Sequence, residues 1–123
     1  MVFGLKLFGK ATITLFWDTL YILILACGGC PTPTIDNSII NPTPFATNSI
    51  TTDASGCSVL TLACTGTGPG LAYVAVNGGY YADSMGSPTM TANYVLTCNN
   101  DNVWQENVFI KFPGATIAVG CST

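Results

Sequence analysis

The 123-residue sequence contains no histidine and no arginine, and its only cations are Lys6, Lys10 and Lys111. These absences exclude several kinds of chemistry. Without imidazole there is no Ser–His or Cys–His couple and no histidine metal site. Without arginine there is no planar fork to grip a phosphate. Charged residues make up 7 %, against roughly 25 % in an ordinary globular domain. No basic surface can be assembled from so few cations, so a nucleic-acid partner is excluded. The apolar share is 49 %, and there are six cysteines. The length is that of one domain, and six cysteines in so short a chain point to a disulfide framework in an oxidising compartment.

Residues 1–26 read as a secretory signal. Lys6 and Lys10 give a positive start, and an apolar run extends from Ala11 to Ala26. A membrane-spanning helix needs about 20 apolar residues. This run is shorter, and Asp18 inside it would cost roughly 2.5–3.5 kcal/mol near a helix centre. A retained anchor is the alternative. Cleavage after Ala26 keeps all six cysteines and makes Cys27 the first mature residue, whereas cleavage after Gly28 or Gly29 leaves an odd number. In the mature chain Lys111 alone faces Asp36, Asp53, Asp83, Asp101 and Glu106, a net charge of −4. Such a chain has no attraction to anionic membranes, and no membrane contact is expected after cleavage.

The domain expected over residues 27–123 has two parts. Residues 27–56 form a Thr/Pro-rich arm, in which Pro31, Pro33, Pro42 and Pro44 block helix and central strand. Residues 57–123 change to short runs with period-two alternation: Ser58–Cys64, Leu71–Val76, Tyr80–Ala82, Thr89–Cys98, Val108–Phe112 and Ala115–Cys121. Asn77-Gly78 is a hairpin signal and Pro113-Gly114 a turn dipeptide. The expected fold is all-β, a small disulfide-stapled β-sandwich of five to six strands preceded by the signal helix.

Each candidate site has a plainer reading beside it. Cys27-Gly28-Gly29-Cys30 has the C-x-x-C spacing of redox proteins, but Pro31 and Pro33 prevent the helix such a site opens. With Cys57 and Cys64 the same pair has the makings of a zinc site, which an oxidising compartment disfavours. Asn99-Asn100-Asp101-Asn102 with Glu106 offers oxygen ligands without EF-hand spacing, so a polar turn is expected. The loop Gly66–Gly70 lacks the helix and lysine of a phosphate cradle and reads as a strand connector. No metal and no cofactor is expected. The six half-cystines are Cys27, Cys30, Cys57, Cys64, Cys98 and Cys121, and spacing alone leaves their pairing open among 15 possibilities. A Cys27–Cys30 bridge is disfavoured because it closes a small, strained ring. Tyr80, Tyr81 and Trp104 are the binding candidates. Trp104 is weighed towards the core, and Tyr80-Tyr81 should put one ring on each face.

The cysteine frame carries a resemblance. Cys27-x-x-Cys30, the Thr/Pro-rich stretch, Ser55-Gly56-Cys57-Ser58 leading to Leu62-Ala63-Cys64-Thr65-Gly66, then Leu96-Thr97-Cys98-Asn99 with Trp104 and a final Cys121 resemble the nematode six-cysteine domain family. The likeness covers roughly residues 27–122. One departure is Asp101-Asn102-Val103 before the tryptophan, where a small residue or glycine is common. A partial likeness to complement-control modules rests on Cys…Trp…Cys alone. The family resemblance implies export, three disulfides and no catalytic residues. The expected protein is therefore a secreted, extracellular structural or protein-interaction module and not an enzyme, with an extracellular protein or glycan as partner. The alternative is a carbohydrate-binding or inhibitory effector that uses exposed aromatics.

Overall fold

The computed structural model describes residues 26–114 and 116–123. The signal expected over residues 1–26 lies, up to residue 25, outside the described residues. The described chain is all-β apart from one 3-10 turn at Ala26–Gly28. Among the described residues no helix is long and apolar enough to cross a membrane.

Ten short strands form two five-stranded sheets. They are β1 (Thr34–Ile35), β2 (Pro42–Thr43), β3 (Thr47–Thr52), β4 (Ser58–Thr65), β5 (Tyr73–Val76), β6 (Gly79–Asp83), β7 (Thr91–Cys98), β8 (Trp104–Gln105), β9 (Lys111–Phe112) and β10 (Ala118–Ser122). One sheet is antiparallel throughout, in the order β3-β4-β7-β8-β9. The other runs β1-β10-β5-β6, with β2 also on β10.

Alternation builds the core. Leu60, Leu62 and Cys64 of β4, with Ala92, Tyr94, Leu96 and Cys98 of β7, turn one buried face inward. Val74 and Val76 of β5 and Val119 and Cys121 of β10 belong to the same core cluster. Each fully buried Leu or Val side chain stabilises by roughly 1.5–3 kcal/mol. The hairpin β5–β6 turns at Asn77 (φ 51°) and Gly78 (φ 86°), the two left-handed residues that a tight twisted turn requires. The glycine-rich stretch after β4 connects the two sheets, and Gly66 N–H closes onto the Met90 carbonyl.

The expected arm is not a separate extended segment. Strand pairing begins directly after Pro33 and again at Pro42. Thr34 N–H donates to the Ile117 carbonyl and Asp36 N–H to the Val119 carbonyl, so β1 runs parallel to β10. Pro42 lies in β2 at a sheet edge, the one strand position that tolerates a missing N–H. Residues 47–52 become a full strand on β4. These three additions account for much of the excess over five or six strands. The chain between β1 and β2 also covers the outer side of β10. A Cβ on Gly120 would lie 2.5 Å from Ile39 Cδ1 and 2.8 Å from the Asp36 carbonyl oxygen, so only glycine fits there.

Several runs are shorter than expected, with β5 starting at Tyr73 and β10 at Ala118. Met90 does not continue the inward face of β7. Its φ of 55° turns it out of the strand and leaves it exposed. The run expected at Val108–Phe112 forms a strand only at Lys111–Phe112.

Candidate functional site

The six sulfurs form three bridges: Cys27–Cys57, Cys30–Cys98 and Cys64–Cys121. Cys64–Cys121 ties β4 to β10 and so joins the two sheets through the core. The other two pin the segment 27–30 to the ends of the first sheet, one beside β4 and one at the end of β7. Cys27 and Cys30 sit in different bridges. Every cysteine is bonded, so neither a C-x-x-C dithiol nor a Cys27/Cys30/Cys57/Cys64 zinc site exists. Among the described residues no group of three or more His, Cys, Asp or Glu is placed to hold a metal ion.

Trp104 leaves the set of binding candidates. Its ring is buried at 2 % exposure, and its indole N–H donates to the Pro31 carbonyl at 2.9 Å. It therefore packs in the core and ties Pro31 to β8. Asn99–Asn102 is a turn. Asn99 Oδ1 accepts the N–H groups of Asp101 and Val103, while Glu106 Oε1 accepts the Tyr94 hydroxyl at 2.7 Å. Burial, helped by that carboxylate, pushes the Tyr94 hydroxyl pKa well above the ordinary tyrosine range.

Tyr80 and Tyr81 are both about half exposed. The two rings turn to different sides, as expected, and the β5–β6 register shifts at this point. Ala75 pairs with Tyr80 and Val74 with Ala82, which leaves Tyr81 as the extra residue of a bulge. Tyr81 stacks on Tyr94 and meets the edge of Phe112. Tyr80 packs on Tyr73 at 5.2 Å. Tyr73 and Tyr80 line a groove of about 460 Å³ with Ile40, Leu71, Ser122 and Thr123. The two tyrosines thus belong to separate patches.

The most exposed large apolar side chain among the described residues was not among the sequence candidates. Phe109 is 90 % exposed, and Val108 beside it 67 %. Both sit in the turn between β8 and β9. Asn107 Oδ1 accepts the N–H groups of Phe109 (2.8 Å) and Ile110 (2.9 Å), and Glu106 N–H donates to the Ile110 carbonyl. An asparagine that holds its own next two or three amides makes a defined turn in place of strand. The visible signal was Asn107 itself, standing directly before the Val-Phe pair. The turn holds two large apolar groups in water on a fixed backbone, and it contains no nucleophile, acid–base pair or ligand set. Chemically it can bind and nothing more.

A family model described as the C6 domain matches residues 21–121 of the chain. No curated protein and no solved structure matches it.

Proposed function

The chain belongs to the C6 domain family, and from that membership we propose a secreted, extracellular protein-interaction module that is not an enzyme. The mature unit is residues 27–123, released by removal of the signal at 1–26 and free of the membrane afterwards. The likeness to nematode six-cysteine domains supports export and a nematode origin, and three buried or half-buried disulfides suit an oxidising environment. One observation carries the binding role: the Asn107-held tip with Phe109 at 90 % exposure. Leaving such a ring in water forgoes roughly 1.5–3 kcal/mol that a partner's pocket would recover, and a preformed turn loses little entropy on docking. The partner is a protein with an apolar pocket. With one lysine in the mature chain, its binding depends weakly on salt.

A photo-crosslinking phenylalanine analogue at position 109 tests this. Displayed on the secreting organism's extracellular matrix, it should give one discrete protein adduct, and the same group at exposed Asn93 should give none. Equal adducts from both positions, or none from 109, would overturn the reading. The groove lined by the tilted Tyr73–Tyr80 pair favours a second reading, glycan binding against these rings. It requires glycan retention that Tyr80→Ala abolishes and Phe109→Ala leaves intact.

A further inference from the structure

Among the described residues the two sheets have four outer edges, and three of them are blocked against added strands. The outer flank of β10 carries only the two-residue pieces β1 and β2, with Pro42 in the second. β6 is bulged and ends in Asp83. β9 is two residues long, carries Lys111 and runs into Pro113. Short strands, bulges, charges and proline are the devices that stop sheets from pairing edge to edge. The fourth edge, β3, has none of them within Thr47–Thr52. It is six residues of Thr-Asn-Ser-Ile-Thr-Thr, all exposed, with an unbroken register against β4.

The parity of this edge can be worked out. Asp53 N–H donates to the Cys57 carbonyl. In an antiparallel ladder, residues that exchange bonds with one neighbour alternate with residues that point away. Residues 47, 49 and 51 therefore bond to β4. Gly66 N–H to the Met90 carbonyl fixes the same parity from the other side of β4. The N–H and C=O groups of Asn48, Ile50 and Thr52 point outward. Ile50 is in register with Leu60 and Leu96, both fully buried. Cross-strand partners share a face, so Ile50 lies on the core side of its sheet yet is 40 % exposed. The strand overhangs the sandwich.

We infer that β3 is a self-pairing edge, where a second copy of this chain adds its own β3 antiparallel about a two-fold axis through Ile50. The three outward residues are symmetric about Ile50. In that register Asn48 meets Thr52 of the second copy, Ile50 meets Ile50, and Thr52 meets Asn48. Each bonded pair exchanges two hydrogen bonds, about six in all, and the two overhanging isoleucines cover each other. Charge also fits a copy of the same acidic chain. No charge lies within the strand, and the two Asp53 carboxylates fall at opposite ends, about 20 Å apart at 3.4 Å per residue, beyond the Debye length of about 8 Å at physiological salt. Closure is isologous, so the product is a dimer with one continuous ten-stranded sheet, not a filament.

The test uses the full chain secreted from an oxidising host, with sedimentation and amide hydrogen exchange measured on wild type, Ile50→Lys and Phe109→Lys. Wild type should form a dimer, with Asn48, Ile50 and Thr52 amides protected alongside Ser49 and Thr51. Ile50→Lys sets two ammonium groups face to face and should weaken the dimer at least about a hundredfold. It should expose amides 48 and 52 while 49 and 51 stay protected, which separates loss of pairing from loss of fold. Phe109→Lys should leave the dimer unchanged. A monomer at about 1 mM, a dimer broken by Phe109→Lys or untouched by Ile50→Lys, or protection of 48, 50 and 52 seen only with a foreign peptide added would each overturn the inference.

Discussion

The bridge between the two sheets is one of the two that close the longest loops in this chain, and its loss should have a large effect on stability. Replacing both Cys64 and Cys121 by alanine frees a loop with a sequence separation of 57. Chain-entropy reasoning assigns about 4 kcal/mol to that closure. Both sulfurs lie in the core, at 0 % and 1 % exposure. Deleting each adds a further loss of about 1 kcal/mol for buried apolar volume, for a total near 6 kcal/mol. A domain of this size has roughly 5–15 kcal/mol in all, so the variant should be marginal. With a urea slope near 1 kcal/mol/M, the midpoint should fall by several molar. The comparison variant is Cys27→Ala with Cys57→Ala, which opens a separation of 30, worth about 3.5 kcal/mol, with Cys27 buried at 7 % and Cys57 partly buried. Urea unfolding followed by circular dichroism ranks the two. If the Cys64/Cys121 variant is as stable as the Cys27/Cys57 variant or more so, the inter-sheet reasoning is refuted.

Two further outcomes follow from local geometry. Gly120→Ala should cost about 1–3 kcal/mol by overpacking, because the Asp36 carbonyl and Ile39 must give way. Gly68→Ala, with open space around it, should change stability by less than about 0.5 kcal/mol; equal thermal midpoints for the two would contradict the packing of residues 36–39 on β10. Tyr94 has a raised pKa when folded, so its contribution is complete below the unfolded value near 10 and falls as pH rises above it, because the unfolded state then binds fewer protons. Urea midpoints at pH 9 and pH 11 should drop for wild type and drop less for Tyr94→Phe, and parallel losses would contradict the buried hydroxyl.

The sandwich was legible where burial imposes a period of two. Ser58–Cys64 and Ala92–Cys98 show it plainly, and Asn77-Gly78 marks its hairpin by backbone chemistry alone. The pairing of the arm was not legible because proline content argues against strands in general, whereas one short edge strand starts just after Pro33 and another contains Pro42; only the position of β10 across the fold reveals them. The Tyr81 bulge is a register event between two strands and leaves no mark on either. The tip at Phe109 was hidden by β-prone residues, Val108 and Phe109, behind an asparagine whose side chain decided the local structure. Disulfide pairing depends on which chain ends meet in space, and spacing alone does not contain it.

Three specific bridges hold this frame, and a disulfide map of the unreduced protein from an oxidising host shows whether they form. Proteolysis followed by fragmentation between Gly28 and Gly29 separates Cys27 from Cys30. The expected result is Cys27 with Cys57, Cys30 with Cys98, Cys64 with Cys121, and no thiol that alkylates before reduction. A Cys27–Cys30 ring, a bridge from Cys64 to any cysteine but Cys121, or a free thiol would contradict it.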